Sequence, residues 1–295
     1  MWQNSSIGVC KSSCSKVPTE SPAPRRERVS RAFVDSRGLV NSQAVSIQGV
    51  EGKVMRLPLE FLLGEDADRA SRTLHKLLRH DIRGWALTGG LAIELCWTSL
   101  SGKVSPRSLN DIDFITDFFD SIPAGLADDF MFRHVHPLDP PGKTLLQFVD
   151  TENAVRVDVF RAYGAEMSRS AALTSTAAIR VVSLEDLVAR AARVCLDLVA
   201  DEPIPAVHAS DFLRLAEAVD PKRIESVWLD HRKPAHPETY TEAYLRLKDV
   251  IPARRALLLH RNYSTDVEQV CSRCREMPAF RMADPRIMIS LLGYC

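Results

Sequence analysis

A strand-sized apolar run, Trp85-Ala-Leu-Thr88, stops at Gly89 and Gly90 and passes directly into Leu91–Leu100, whose composition suits a helix. A chain that turns from strand to helix over two glycines has few ways to fold. Residues without Cβ allow the tight reversal, and the helix leaves its first N–H groups beside the end of the strand. Those groups form the positive pole of the helix and favour anions, phosphates above all. Thr88 adds a hydroxyl at the same point.

The next strand-like stretch supplies the opposite charge. Asp111, 21 residues after Gly90, opens Asp-Ile-Asp-Phe-Ile-Thr, in which Ile112 and Phe114 take one face and Asp111 and Asp113 the other. Two carboxylates at this spacing stand about 7 Å apart at their base and can converge on adjacent cations. A third acid comes later, in Val155-Arg-Val-Asp-Val-Phe-Arg161, where Asp158 interrupts a β-branched run that would bury more easily without it. It is the candidate for a second metal ligand or a base. Arg107, four residues before Asp111, sits where a guanidinium reaches a phosphate or clamps one of the acids. Together these residues suit nucleotidyl transfer, in which a divalent cation neutralises a triphosphate and aligns the attacking oxygen with the leaving pyrophosphate.

The surrounding pattern gives the fold class. Ala70, Leu74, Leu77 and Leu78 fall at helical spacing, with Asp66 and Asp68 at the favoured N-terminal end. That second Asp-x-Asp is read as a helix start. A short helix is expected near 121–128, then strands at 130–136, 144–150 and 155–161, the last two joined by a hairpin turn at Thr151–Ala154. From Ser183, which forms a capping-box pattern with Asp186, the period changes to 3.6 and helices dominate, with breaks at Pro221, Pro234, Pro237 and Pro252. The expected architecture is α/β (α+β): a small mixed β-sheet domain over 55–180 and a helical domain over 181–295. Residues 1–54, rich in Ser, Pro and Arg, are expected to be a disordered leader, and Met55 is a second candidate initiator.

Composition narrows the function classes. Lys and Arg number 38 against 38 Asp and Glu, so no global basic field points to nucleic acid or an anionic membrane, although a local basic groove stays open. The apolar runs fall short of the ~20 residues a spanning helix needs, and a cytoplasmic location is expected. Seven scattered cysteines read as reduced thiols, and Cys271 and Cys274 as a chance pair on a helix. His134 and His136 are expected at the surface, and Arg255 to His260 on a simple amphipathic helix.

"LTGGLAIEL", "PRSLNDIDFIT" and "VRVDVFR" together resemble the nucleotidyltransferase superfamily typified by DNA polymerase β, whose pattern is Gly-Gly or Gly-Ser, then Asp-x-Asp, then a lone Asp on a later strand. Within it the chain looks most like the AbiEii-type toxins of toxin–antitoxin and phage-defence systems. Their Arg-x-Ser/Thr-x-Asp-x-Asp stretch is matched at Arg107, Asp111 and Asp113, while Leu109 replaces the small hydroxyl residue. Asp211 fits a later family acid, and Ala191, flanked by Arg190 and Arg193, stands where the family has Lys. The resemblance covers roughly 85–215. It implies one or two magnesium ions held by Asp111, Asp113 and Asp158, and an NTP bound at Thr88, Gly89, Gly90 and Arg107. It also implies tRNA or other RNA as acceptor and an antitoxin protein as partner. Two rival functions remain: adenylyl transfer to a small molecule such as an aminoglycoside, and non-catalytic nucleotide or partner binding on the same fold.

Overall fold

The computed structural model describes residues 45–48, 54–57, 59–109, 111–136, 140–173, 179–201 and 206–253. Strands β1 (Val45–Gln48) and β2 (Val54–Leu57) pair antiparallel, so part of the stretch expected to be leader carries a strand. Helix α1 (Asp66–Leu77) has Asp66 and Asp68 in its first turn and buries Ala70, Leu74 and Leu77, as its spacing requires. Asp66 also accepts a hydrogen bond from the Leu109 N–H at 2.7 Å, which ties the helix start to the segment before the next sheet strand.

Strand β3 (Trp85–Thr88) leads straight into α2 (Gly89–Ser101). The two glycines are therefore the first helical residues, not a separate turn. Strand β4 (Asp111–Thr116) follows, then a 3-10 turn at Phe119–Ser121 and the short helix α3 (Leu126–Asp129), which divide the single helix expected near 121–128. Strands β5 (Met131–Val135), β6 (Thr144–Asp150) and β7 (Val155–Arg161) come next. Helix α4 (Glu166–Arg169) and the two-residue strands β8 (Ala171–Ala172) and β9 (Arg180–Val181) complete this half.

The sheet has seven strands in the order β5-β6-β7-β4-β3-β9-β8. It is mixed: β4 runs parallel to β7 and β3 parallel to β9, and the other neighbours are antiparallel. Trp85, Phe114, Phe130 and Phe148 form an aromatic cluster at its centre, with centroids 4.9–6.3 Å apart. Such pairs add about 0.5–1.5 kcal/mol each beyond the area they bury. The Trp85 indole N–H donates to the Ser121 carbonyl at 2.9 Å, so the buried ring leaves no polar atom unsatisfied.

The remaining described chain holds four helices: α5 (Leu184–Asp201), α6 (Ala206–Ala218), α7 (Pro221–His231) and α8 (Tyr240–Ala253). Ser183 Oγ accepts from the Asp186 N–H at 3.1 Å, the N-cap bond that its spacing predicts. The Asp186 carboxylate accepts from Ser183 Oγ in return, and also from Arg169 and buried His231 at 2.7–2.9 Å. Pro221 is the first residue of α7, where a missing N–H costs nothing, and Asp220 caps it. Pro252 does not end α8, which runs to Ala253. Helix α5 packs on α6, α7 and α8, and α2 packs on β4, α5 and α6, so sheet and helices share one core. Among the described residues no helix is long and apolar enough to cross a membrane. Residues 1–44, the Cys271–Cys274 pair and Arg255–His260 lie outside the described residues.

Candidate active site

The mixed sheet lines up one polar row across five strands. Pairing sets His134 on β5 opposite Gln147 on β6, Gln147 opposite Asp158 on β7, Asp158 opposite Asp113 on β4, and Asp113 opposite Thr88 on β3. Side chains alternate faces along each strand, so every member of the row projects on the same side, away from Ile112, Phe114, Val157 and Val159 in the core. Two residues along the parallel pair, on the same face, Asp111 stands opposite Arg156. All seven of these residues line a single cavity of about 480 Å³.

Asp111, Asp113 and Asp158 each bring a carboxylate oxygen within 4.8 Å of the others. Three like charges this close cannot all ionise freely. Burial pushes Asp113 well above the usual carboxylate range, and the charges of Asp111 and Asp158 push it further, against the pull of Arg156 and Arg190. Asp158 rises to about 6, chiefly through burial and then through Asp111, with Arg156 opposing. Arg156 supplies the local counter-charge, because its guanidinium bonds Asp111 and its Nε lies 3.2 Å from Asp158 Oδ2. Asp158 Oδ1 is buried and has no hydrogen-bond partner among the described residues.

Gly89 has φ +62°, a region that an L side chain rarely enters. A Cβ there would lie 1.8 Å from Asp113 Oδ2, so the glycine is required twice, by its dihedral and by the acid beside it. Among the described residues no side chain caps the start of helix α2 and the buried Thr88 Oγ1 has no hydrogen-bond partner, which leaves these donors facing the cavity. Arg107 also lines the cavity, but its guanidinium is held by Glu94 and Asp211.

The rest of the lining comes from helices α5 and α6 and from three connections: Arg190, Arg193 and His208 on the helices, Lys143 between β5 and β6, Tyr163 between β7 and α4, and Lys233 between α7 and α8. Arg190 chelates buried Glu166 at 2.7–3.1 Å and lies over the Tyr163 ring, with its carbon 4.8 Å from the centroid. Arg193 covers the same ring at 4.2 Å and donates to the His231 carbonyl. Ala191 lines the cavity between them. His136, expected at the surface, is buried, and its ring meets that of His134 edge-on at 6.0 Å. Sequence reading missed Arg156, Gln147 and His134. Gln147 carried a signal, a polar residue interrupting the apolar strand Thr144–Asp150 much as Asp158 interrupts its own.

An oxygen-only donor set suits a hard divalent cation such as magnesium or manganese. The crowded acids, the raised proton affinity of Asp113 and the orphaned Asp158 Oδ1 all mark missing positive charge at one point, and the residues present fit such an ion.

No protein-family model matches the chain, and no curated protein matches it. Among solved structures it is similar to the solution structure of the antibiotic-resistance factor ANT(2'')-Ia, at 13% identity over 62% of this chain and 97% of that one, with a TM-score of 0.36. At that score the likeness bears no weight, and the functional assignment stands on the site itself.

Proposed function

We propose that this chain is a metal-dependent nucleotidyltransferase, which moves a nucleoside monophosphate from an NTP to an acceptor hydroxyl. The observation that carries the reading is the meeting of Asp111, Asp113 and Asp158, from two parallel strands in register, beside the positive-φ Gly89 at the open start of α2. Asp111, Asp113 and Asp158 would hold one or two magnesium ions, which supply charge neutralisation for the triphosphate and acidify the attacking hydroxyl. The backbone N–H groups from Gly89 and Gly90 onward, with Thr88 Oγ1, face the phosphate oxygens. In the reaction an acceptor oxygen bonds to the α-phosphorus, the bond to pyrophosphate breaks, and the hydroxyl proton leaves. Asp158, whose Oδ1 has no hydrogen-bond partner among the described residues, is the candidate to take that proton.

RNA, with tRNA the preferred form, is the first acceptor proposed, by resemblance to AbiEii-type toxins; Lys143 in the cavity lining supports it as a cation suited to a phosphate backbone, whereas Lys233 is paired with Asp197 at 2.6 Å. The size of the cavity, about 480 Å³ between sheet and helices, favours a second acceptor class, a small hydroxylated molecule such as an aminoglycoside. In the same reading residues 55–180 form the nucleotidyltransferase part, helices α5–α8 belong to the second part expected over 181–295, and an antitoxin protein is the partner. Incubation with each labelled NTP and magnesium, with total tRNA or an aminoglycoside panel, separates the acceptors. Label on neither, with NTP binding retained, would leave non-catalytic nucleotide binding as the function.

A further inference from the structure

Arg107 lines the cavity beside the diglycine, and its contacts give it a narrower task than binding phosphate. Its Nη1 lies 3.1 and 3.0 Å from the two Asp211 oxygens and 3.3 Å from Glu94 Oε1. Glu94 on α2 and Asp211 on α6 are almost fully buried, at 2% and 4% exposure. Arg214 completes the cluster, with Nη2 2.7 Å from both acids and its guanidinium 5.4 Å from the Trp97 centroid. Two arginines and two buried carboxylates thus balance, and withdrawing either cation leaves charge uncompensated in the interior.

The backbone of Arg107 is pinned as well. Its N–H donates to the Phe61 carbonyl at 2.7 Å, and its carbonyl accepts from the Leu63 N–H at 3.0 Å. The guanidinium then rests against Gly90, where a Cβ would lie 2.7 Å from Nη2 and 2.8 Å from Cζ. Gly90 is not at positive φ, so this close approach, rather than dihedral freedom, is what excludes a side chain there.

We infer that Arg107 is a positioning residue: through Glu94, Asp211 and its contact with Gly90 it fixes the first turn of α2 against α6, and so aims the helix's free N–H groups at the triphosphate without binding it. A phosphate would have to win Nη1 from two buried carboxylates, one of them held through both oxygens, and draw Nη2 and Nε away from Gly90. The inference rests on the nucleotidyl-transfer reading, since it assigns the triphosphate to that turn.

The test is magnesium-dependent binding of ATP and of GTP, by calorimetry, to the wild type, Arg107→Lys, Arg107→Met, Asp211→Asn and Arg107→Met/Asp211→Asn, with Mn²⁺ affinity of the nucleotide-free protein measured alongside. Each single variant should weaken nucleotide binding about tenfold and the double variant no further, because the residues act as a unit, while Mn²⁺ affinity holds within about twofold. The Lys variant should lose affinity like Met, since an ammonium lacks the Nη2, Cζ and Nε atoms that rest against Gly90 while Nη1 holds the acids. Gly90→Ala should weaken binding in the wild type and add nothing in either Arg107 variant, a comparison that the Lys background supplies if the Met variant does not fold. Affinity kept by Arg107→Lys, affinity unchanged or improved in Asp211→Asn, or an equal cost of Gly90→Ala in every background would overturn the positioning role and make Arg107 a phosphate ligand. A wild type that binds neither nucleotide with magnesium would overturn the nucleotidyl-transfer reading itself, and the inference with it.

Discussion

Gly89 and Asp113 occupy space that only a glycine and an acid can share: a Cβ on residue 89 would sit 1.8 Å from Asp113 Oδ2 and 2.7 Å from its Cγ. Gly89→Ala therefore has to rotate the acid out of the triad and strain its own backbone at φ +62°. The expected outcome is a fall in nucleotide transfer of at least about 100-fold, with Mn²⁺ binding weakened in parallel. Mn²⁺ titration followed by electron paramagnetic resonance checks the second part; unaltered Mn²⁺ affinity would detach the glycine from the metal site.

The crowded acids should make the metal-free protein pH-sensitive in a defined direction. Asp113 and Asp158 bind protons more tightly folded than unfolded, the second with a folded pKa of about 6. Their contribution to stability is therefore fully present below the unfolded carboxylate value near 4; that of Asp158 is lost as pH rises through about 6, and that of Asp113 as pH rises through its own raised value. Asp186, whose hydrogen bonds from His231, Arg169 and Ser183 outweigh burial and hold it at about 2, acts in the opposite sense, so the comparison has to be made against a variant. Asp113→Asn is expected to melt roughly 2–4 °C above the wild type at pH 7.5 without metal, with the gap closing below pH 4. Melting curves from pH 3.5 to 8 give the answer.

Arg156 stands in for part of the missing cation, through its bond to Asp111 and its 3.2 Å approach to Asp158. Arg156→Met should destabilise the metal-free protein by about 1–3 kcal/mol, because it leaves three acids facing one another. The stabilisation that added magnesium brings should then exceed that of the wild type. Thermal shift against magnesium concentration measures both quantities, and an equal or smaller metal-induced shift would deny Arg156 this counter-charge role.

Lys76 and Asp150 make a buried ion pair away from the site, 2.8 Å apart, with Thr73 and Asn153 also donating to Asp150. Neither residue lines the cavity. Lys76→Met is expected to cost about 3–5 kcal/mol in urea unfolding and to leave the NTP affinity of the folded protein unchanged. A shift in NTP affinity comparable to that of the triad variants would tie this pair to the site.

What could be read from the residues was local in character. The strand–glycine–helix unit, the alternation around Asp111 and Asp113, and the isolated acid in Val155–Arg161 each depend on a few neighbouring side chains, and the fold puts all three acids together. Arg156 lay in the same quoted strand but gained its meaning only from the register that sets it opposite Asp111. Gln147 and His134 joined the row for the same reason, and strand register is not written in composition. The partners of Arg107 are 13 and 104 residues away, beyond any local pattern. His136 was misjudged because two histidines flanking one valine say nothing about which face of an edge strand is covered.

The most direct measurement is magnesium-dependent NTP binding by the wild type, Asp113→Asn and Asp158→Asn, each shown to be folded by its melting curve. Expected are wild-type affinity that appears only with the divalent cation and its loss by at least about 100-fold in both variants. Binding that is indifferent to magnesium, or that survives removal of either acid, would contradict a cation site built from Asp111, Asp113 and Asp158.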